Sequence, residues 1–166
     1  MSMRHALAID KTVALDVNGS TQRIRMCATR TGSPPLLIVQ AGPGLPILNE
    51  VGKFQRRLRL EHQFLVAYWE QRGCGAASRE DAVSVSLQQQ VDDLRQVLRW
   101  RRDETKQTVI VLGISLGATI ALRAVEGEPD CVKSVVAVSV DVHTARSDAA
   151  AHGFLQEHGL HAGRRR

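Results

Sequence analysis

Val109-Ile110-Val111-Leu112-Gly113-Ile114-Ser115-Leu116-Gly117-Ala118-Thr119-Ile120-Ala121-Leu122-Arg123-Ala124 is the stretch on which the reading of this chain turns. Its first four residues form a continuous apolar run suited to a buried strand, and its last seven suit a helix. Between them lies Gly-x-Ser-x-Gly, the pattern of a nucleophile elbow. A sharp strand-to-helix turn crowds the backbone around its central residue, so the positions two before and two after must be small; Gly113 and Gly117 occupy them. The turn raises the Ser115 hydroxyl above the carboxyl end of the sheet. It also aims the first free N–H groups of the new helix at whatever the hydroxyl attacks.

Outward from this motif, the chain alternates strand-like and helix-like segments. Thr12 to Val17 alternates apolar and polar residues, Asn18-Gly19-Ser20 offers turn chemistry, and Gln22 to Arg30 alternates again with Ile24, Met26 and Ala28 on one side. This predicts a hairpin. Leu36-Leu37-Ile38-Val39 is apolar throughout, as expected of a strand covered on both faces, and ends in the loop Gln40-Ala41-Gly42-Pro43-Gly44-Leu45-Pro46. Ile47 to Leu60 has the spacing of a helix without an evident cap. Phe64 to Trp69 reads as a second buried strand, followed by Glu70-Gln71-Arg72-Gly73-Cys74-Gly75. The Gly-x-Gly there lacks the third glycine and the helix opening of a dinucleotide fingerprint, so that reading is rejected.

Ser86-Leu87-Gln88-Gln89 has the form of a capping box. The helix it opens, 86 to 103, places Leu87, Val91, Leu94 and Leu98 on one stripe and Asp92, Asp93, Arg95 and Arg99 elsewhere. The helix after the elbow is expected to end near Gly127, and Val132 to Val140 is a Val-rich fourth strand. The fold class that follows is α/β, a three-layer α/β/α arrangement with a mostly parallel sheet.

Composition narrows the function. The net charge of +5 owes three units to Arg164-Arg165-Arg166, the remaining basic residues are scattered, and Arg56-Arg57 and Arg101-Arg102 read as solvated helix surface. No nucleic-acid partner is expected. No signal peptide and no membrane-length apolar run is visible, which gives the expectation of a cytoplasmic protein with no membrane association. Cys27, Cys74 and Cys131 lack metal-ligand spacing and read as reduced, mostly buried thiols without assigned chemistry.

Three loops agree with one another. Leu36 to Gly44 with Pro46, Tyr68-Trp69-Glu70-Gln71-Arg72-Gly73-Cys74-Gly75 with Ser78, and Gly113 to Gly117 resemble the His-Gly-Gly-Pro-Gly, Trp-Asp-Gln-Arg-Gly-x-Gly-x-Ser and Gly-x-Ser-x-Gly blocks of the proline iminopeptidase branch of the α/β-hydrolases. The resemblance spans roughly residues 10 to 141, the amino-terminal half of such a catalytic domain. It implies a serine hydrolase acting by acyl transfer on a small ester, amide or peptide substrate, with catalytic Ser115 and an oxyanion hole built from the backbone N–H groups of Gly42 and Leu116. No cofactor and no metal is implied. For Trp69 to Gly75 the family role is mainly structural. Gln40 and Ala41 stand where the family usually has His and Gly, and Leu116 replaces a frequent Trp. Epoxide hydrolases and haloalkane dehalogenases use Asp at the elbow, and Ser115 argues against them.

Length sets the other expectation. In the family the triad runs Ser, then acid, then His, on later strands, and an eight-stranded domain needs on the order of 200 to 250 residues. Residues 1–141 are therefore read as the amino-terminal part of a catalytic domain, and 142–166 as the start of a truncated cap or an irregular tail. His143, His152, His158 and His161 follow the last strand, where histidines are more often solvent-exposed bystanders than bases; His143 is the least bad candidate for a local base, because it follows a strand at the sheet's carboxyl edge. Asp141 is not given the triad acid's role. The competing expectation is a non-catalytic remnant lacking the triad acid and base, which either binds a partner through the unpaired edge of an unfinished sheet, an edge that favours dimerisation or aggregation, or has no function.

Overall fold

The computed structural model describes residues 6–41, 45–75, 85–140 and 142–157. Its strands are β1 (Ile9–Val17), β2 (Ser20–Ala28), β3 (Pro35–Val39), β4 (Leu65–Glu70), β5 (Val109–Ile114) and β6 (Val132–Val138). Its α-helices are α1 (Val51–Leu58), α2 (Leu87–Thr105), α3 (Leu116–Glu126) and α4 (Thr144–Glu157). The six strands form one mixed sheet in the order β1-β2-β4-β3-β5-β6. β1 and β2 pair antiparallel, as do β2 and β4, and from β4 onward all neighbours are parallel.

The hairpin closes through Asn18 and Gly19, both at positive φ (49° and 75°). That is the backbone a two-residue turn needs to match strand twist, and Gly adopts it without steric cost. β3 is buried along its whole length, in keeping with its continuous apolar sequence. On one face of the sheet, Val91, Leu94, Val97 and Leu98 of α2 and Ile120, Ala121 and Ala124 of α3 pack over Leu37, Val39, Ala67, Trp69, Val109 and Val111. On the other, Val51 of α1 joins Ile47, Leu36, Ile38, Val66 and Tyr68. These are the three layers.

Several local expectations change. The predicted helix over 47–60 is a 3-10 turn (Ile47–Glu50) continued by α1, which Arg59 stops by taking φ +52° before a second 3-10 turn at Leu60–His62. The capping box at α2 is half made. The Gln89 N–H donates to Ser86 Oγ at 3.1 Å, but the Gln89 side chain turns away to Asp93. Arg101 is fully buried rather than solvated, its guanidinium donating to Glu104 and the Leu65 carbonyl, because it lies on the α2 face pressed to the sheet. β6 stops at Val138, since Ser139 leaves the extended region at φ +52°. It is also an edge strand in the described structure, with Val136 and Val138 49% and 43% exposed.

Candidate active site

β5 runs to Ile114 and α3 begins at Leu116, so a single residue, Ser115, makes the turn. It does so at φ +54°, ψ −123°, a region a residue with a Cβ occupies at a cost of about 1–3 kcal/mol and keeps only where its surroundings enforce it. Here they do. The Ser115 N–H donates to the Val138 carbonyl of β6 at 2.8 Å, and its own carbonyl accepts from the N–H groups of Ala118 and Thr119 at 2.9 and 3.3 Å.

The flanking glycines serve space rather than backbone freedom. A Cβ on Gly113 would lie 2.6 Å from the Ala118 Cα and 2.8 Å from the Gly117 carbonyl oxygen, closing the turn on itself. A Cβ on Gly117 would lie 2.3 Å from the Gln40 carbonyl oxygen and 2.4 Å from that of Val39. The first turn of α3 thus rests directly on the end of β3, where the chain enters the loop after it. Leu116 and Gly117 hold the first positions of the helix, whose N–H groups have no acceptor four residues earlier and are available to an anion.

Ser115 is half-buried. Gly42 lies outside the described residues, as do Pro43, Gly44, Ser78, Asp141, His158 and His161. His143 is placed, but as the start of α4: its Nδ1 accepts from the Arg146 N–H at 3.3 Å and its carbonyl from the Arg146 and Ser147 N–H groups. His152 is exposed on α4. Among the described residues, no imidazole or carboxylate hydrogen-bonds to Ser115 Oγ. No group of His, Cys, Asp and Glu among them has the arrangement to hold a metal ion, and no helix among them is long and apolar enough to cross a membrane.

Two polar assemblies are not legible in the sequence. Asp93 of α2 is buried, and its carboxylate accepts from Arg72 (2.9 and 3.1 Å), Gln22 (2.7 Å), Asn18 (2.9 Å) and Gln89 (3.1 Å). Arg72 also donates to the Val17 and Asn18 carbonyls, and Gln22 accepts from Trp69 Nε1. The Trp69–Gly75 segment is thereby clamped to the hairpin and to α2. The second assembly is smaller: buried Gln40 donates from Nε2 to the buried Cys74 sulfur at 3.2 Å. Asp93 lies off the apolar stripe of α2 yet is buried: the row Gln90, Asp93, Val97, Arg101, spaced three, four and four apart, puts all four on the buried face, and that spacing is the signal of burial in the sequence.

Comparison with known proteins places the chain in a family. The family described as serine aminopeptidase, S33, matches residues 51–157. A Bacillus subtilis (strain 168) protein described as probable aminopeptidase YbaC is 26% identical over 146 residues, covering 86% of this chain and 45% of that protein. Among solved structures, the N-formylmaleamic acid deformylase Nfo of Pseudomonas putida S16 superposes with TM-score 0.61 at 30% identity, over 76% of this chain and 46% of that one. A proline iminopeptidase-related protein of Thermus thermophilus does so with TM-score 0.63 at 18% identity, over 80% and 45%. The chain spans under half the length of each of these relatives.

Proposed function

This chain belongs to the serine aminopeptidase S33 family of α/β-hydrolases, and from that premise we propose that it contributes the nucleophile half of a serine hydrolase acting on a small ester, amide or peptide. The observation that carries the proposal is the enforced backbone of Ser115 at φ +54° between Gly113 and Gly117. Ser115 Oγ attacks the substrate carbonyl to give an acyl-enzyme, and the N–H groups of Leu116 and Gly42 receive the oxyanion. A serine hydroxyl needs a base to attack at neutral pH. We assign that base and its acid to the part of the fold that the longer relatives have and these 166 residues do not match. Residues 1–141 then form the nucleophile-bearing part of the domain and 142–166 the start of a cap or an irregular tail, a division supported by the exposure of nearly all the side chains described over 142–157. Three buried free thiols suit a reducing, cytoplasmic setting.

The test is labelling of the purified chain by a fluorophosphonate, read by intact mass beside Ser115→Ala. Labelling confined to the parent supports an activated Ser115. A folded parent that stays unlabelled rules out a self-sufficient hydrolase.

A specific observation favours a second reading, a chain that pairs with its own copy. β6 is open on its outer edge among the described residues, and an antiparallel β6–β6 contact would pair its free backbone groups and set the exposed Val136 and Val138 beside their copies. Light scattering across a concentration series should then show a dimer that the double substitution Val136→Lys, Val138→Lys dissociates. A monomer at every concentration removes this reading.

A further inference from the structure

Gln40 is enclosed where β3 ends, and its two ends are held very differently. Its carbonyl, with that of Val39, is the surface on which Gly117 of the elbow rests. Its side chain is buried and points to a different neighbour, Cys74, through Nε2–H···Sγ at 3.2 Å. Its Oε1 is buried without a hydrogen-bond partner, so among the described residues this side chain is held by that one bond.

The acceptor is itself fixed. Cys74 sits between Gly73 and Gly75, both in the left-handed region (φ +71° and +55°), and its N–H donates to the Gln71 carbonyl at 3.0 Å. Gly75 lies so close over the buried Glu70 carboxylate that a Cβ there would stand 2.3 Å from Oε1. Arg72 of the same loop is anchored to Asp93 and to the hairpin carbonyls. A loop tied to α2 and to the hairpin therefore presents the sulfur to Gln40, and the backbone of Gln40 at the end of β3 lies against the turn that carries Ser115.

We propose that Gln40 is a positioning residue for the Ser115 elbow, and that the Cys74 sulfur is the acceptor that holds it in place. The proposal rests on the reading of Ser115 as nucleophile for its catalytic consequence, but not for its structural one. The contact is a carboxamide N–H against a thiol sulfur, both buried. Losing the acceptor leaves a buried carboxamide with neither end satisfied, and it must rotate or draw in water, taking the β3 terminus with it.

Cys74→Ala removes the acceptor without adding bulk, whereas Cys74→Ser restores one of similar reach. Hydrogen exchange of peptides covering residues 36–41 and 113–120 in the purified 166-residue chain should accelerate about tenfold in the alanine variant. It should return to the parent rate in the serine variant, with α2 unchanged in both. Equal exchange in the alanine and serine variants overturns the proposal. Fluorophosphonate kinetics add the catalytic readout: the maximal labelling rate should fall in Cys74→Ala and recover in Cys74→Ser, with probe affinity unchanged. If the parent labels and the alanine variant labels equally fast, Gln40 does not position the elbow. A parent that fails to label sinks only the hydrolase reading, and the exchange pattern then decides the role of Gln40.

Discussion

Replacing Gly117 by Ala tests whether α3 is pressed onto β3 as tightly as the structure has it. The new Cβ would start 2.3 Å from the Gln40 carbonyl oxygen, 2.4 Å from the Val39 oxygen and 2.9 Å from the Val39 carbon. Ordinary contact begins near 3.4 Å, so α3 must retreat from β3 by about 1 Å. Overpacking costs about 1–3 kcal/mol where side chains can yield. Here the obstacles are backbone atoms at the end of a fully buried strand hydrogen-bonded on both sides by β4 and β5, which places the cost at the upper end. Ala is better than Gly in a helix by at most about 1 kcal/mol, leaving a net loss of about 2 kcal/mol. Urea unfolding followed by tryptophan fluorescence measures it, with Gly52→Ala as the control. There the nearest atom is the tip of the Arg56 side chain at 3.4 Å, and the substitution should be neutral or stabilising. The same displacement should lower any Ser115 reactivity by about 100-fold, the usual consequence of a 1 Å misplacement. If Gly117→Ala is as stable as the parent, the close approach of helix and strand is not real, and the spatial account of the second elbow glycine fails with it.

Asp93→Ala strands the buried Gln22 amide and the largely buried Arg72 guanidinium, and should cost about 3–5 kcal/mol by urea unfolding. Asp92→Ala, which breaks a half-exposed pair with Arg95, should cost under about 1 kcal/mol; similar losses for both would contradict the buried clamp. Burial, helped by the nearby Asp10 carboxylate, pushes the Cys27 thiol from an ordinary 9.0 up to about 12. A thiol protonated in the fold and ionised in the unfolded chain contributes fully below pH 9, and its contribution drains away as pH rises from 9 to 12. Stability over that window should fall by up to about 1.4 kcal/mol per pH unit on this account, and Cys27→Ala should flatten the decline; identical slopes in parent and variant would refute it.

What the sequence decided, it decided through local chemistry. The apolar run Val109–Leu112, the glycines at 113 and 117 and the helix-like residues after them are neighbours in the chain, so the constraint linking them is visible without folding anything. The same holds for the Asn18-Gly19 turn and the continuous apolar run of β3. Residues that matter through distant partners were not legible. Asp93 carries the same letter as many solvated aspartates, and only its meeting with Arg72, Gln22 and Asn18 makes it a buried hub. Arg101 looks like surface until α2 is laid on the sheet, and then its side chain has nowhere to go but inward. His143, the best-placed local base by its position in the chain, becomes the first residue of a helix-capping contact. Gln40 and Cys74 stand 34 positions apart, and no pattern in the chain joins them. Periodicity and turn chemistry act between near neighbours, whereas burial of a charge or carboxamide depends on which elements the fold brings against it, and that is settled only when the layers close.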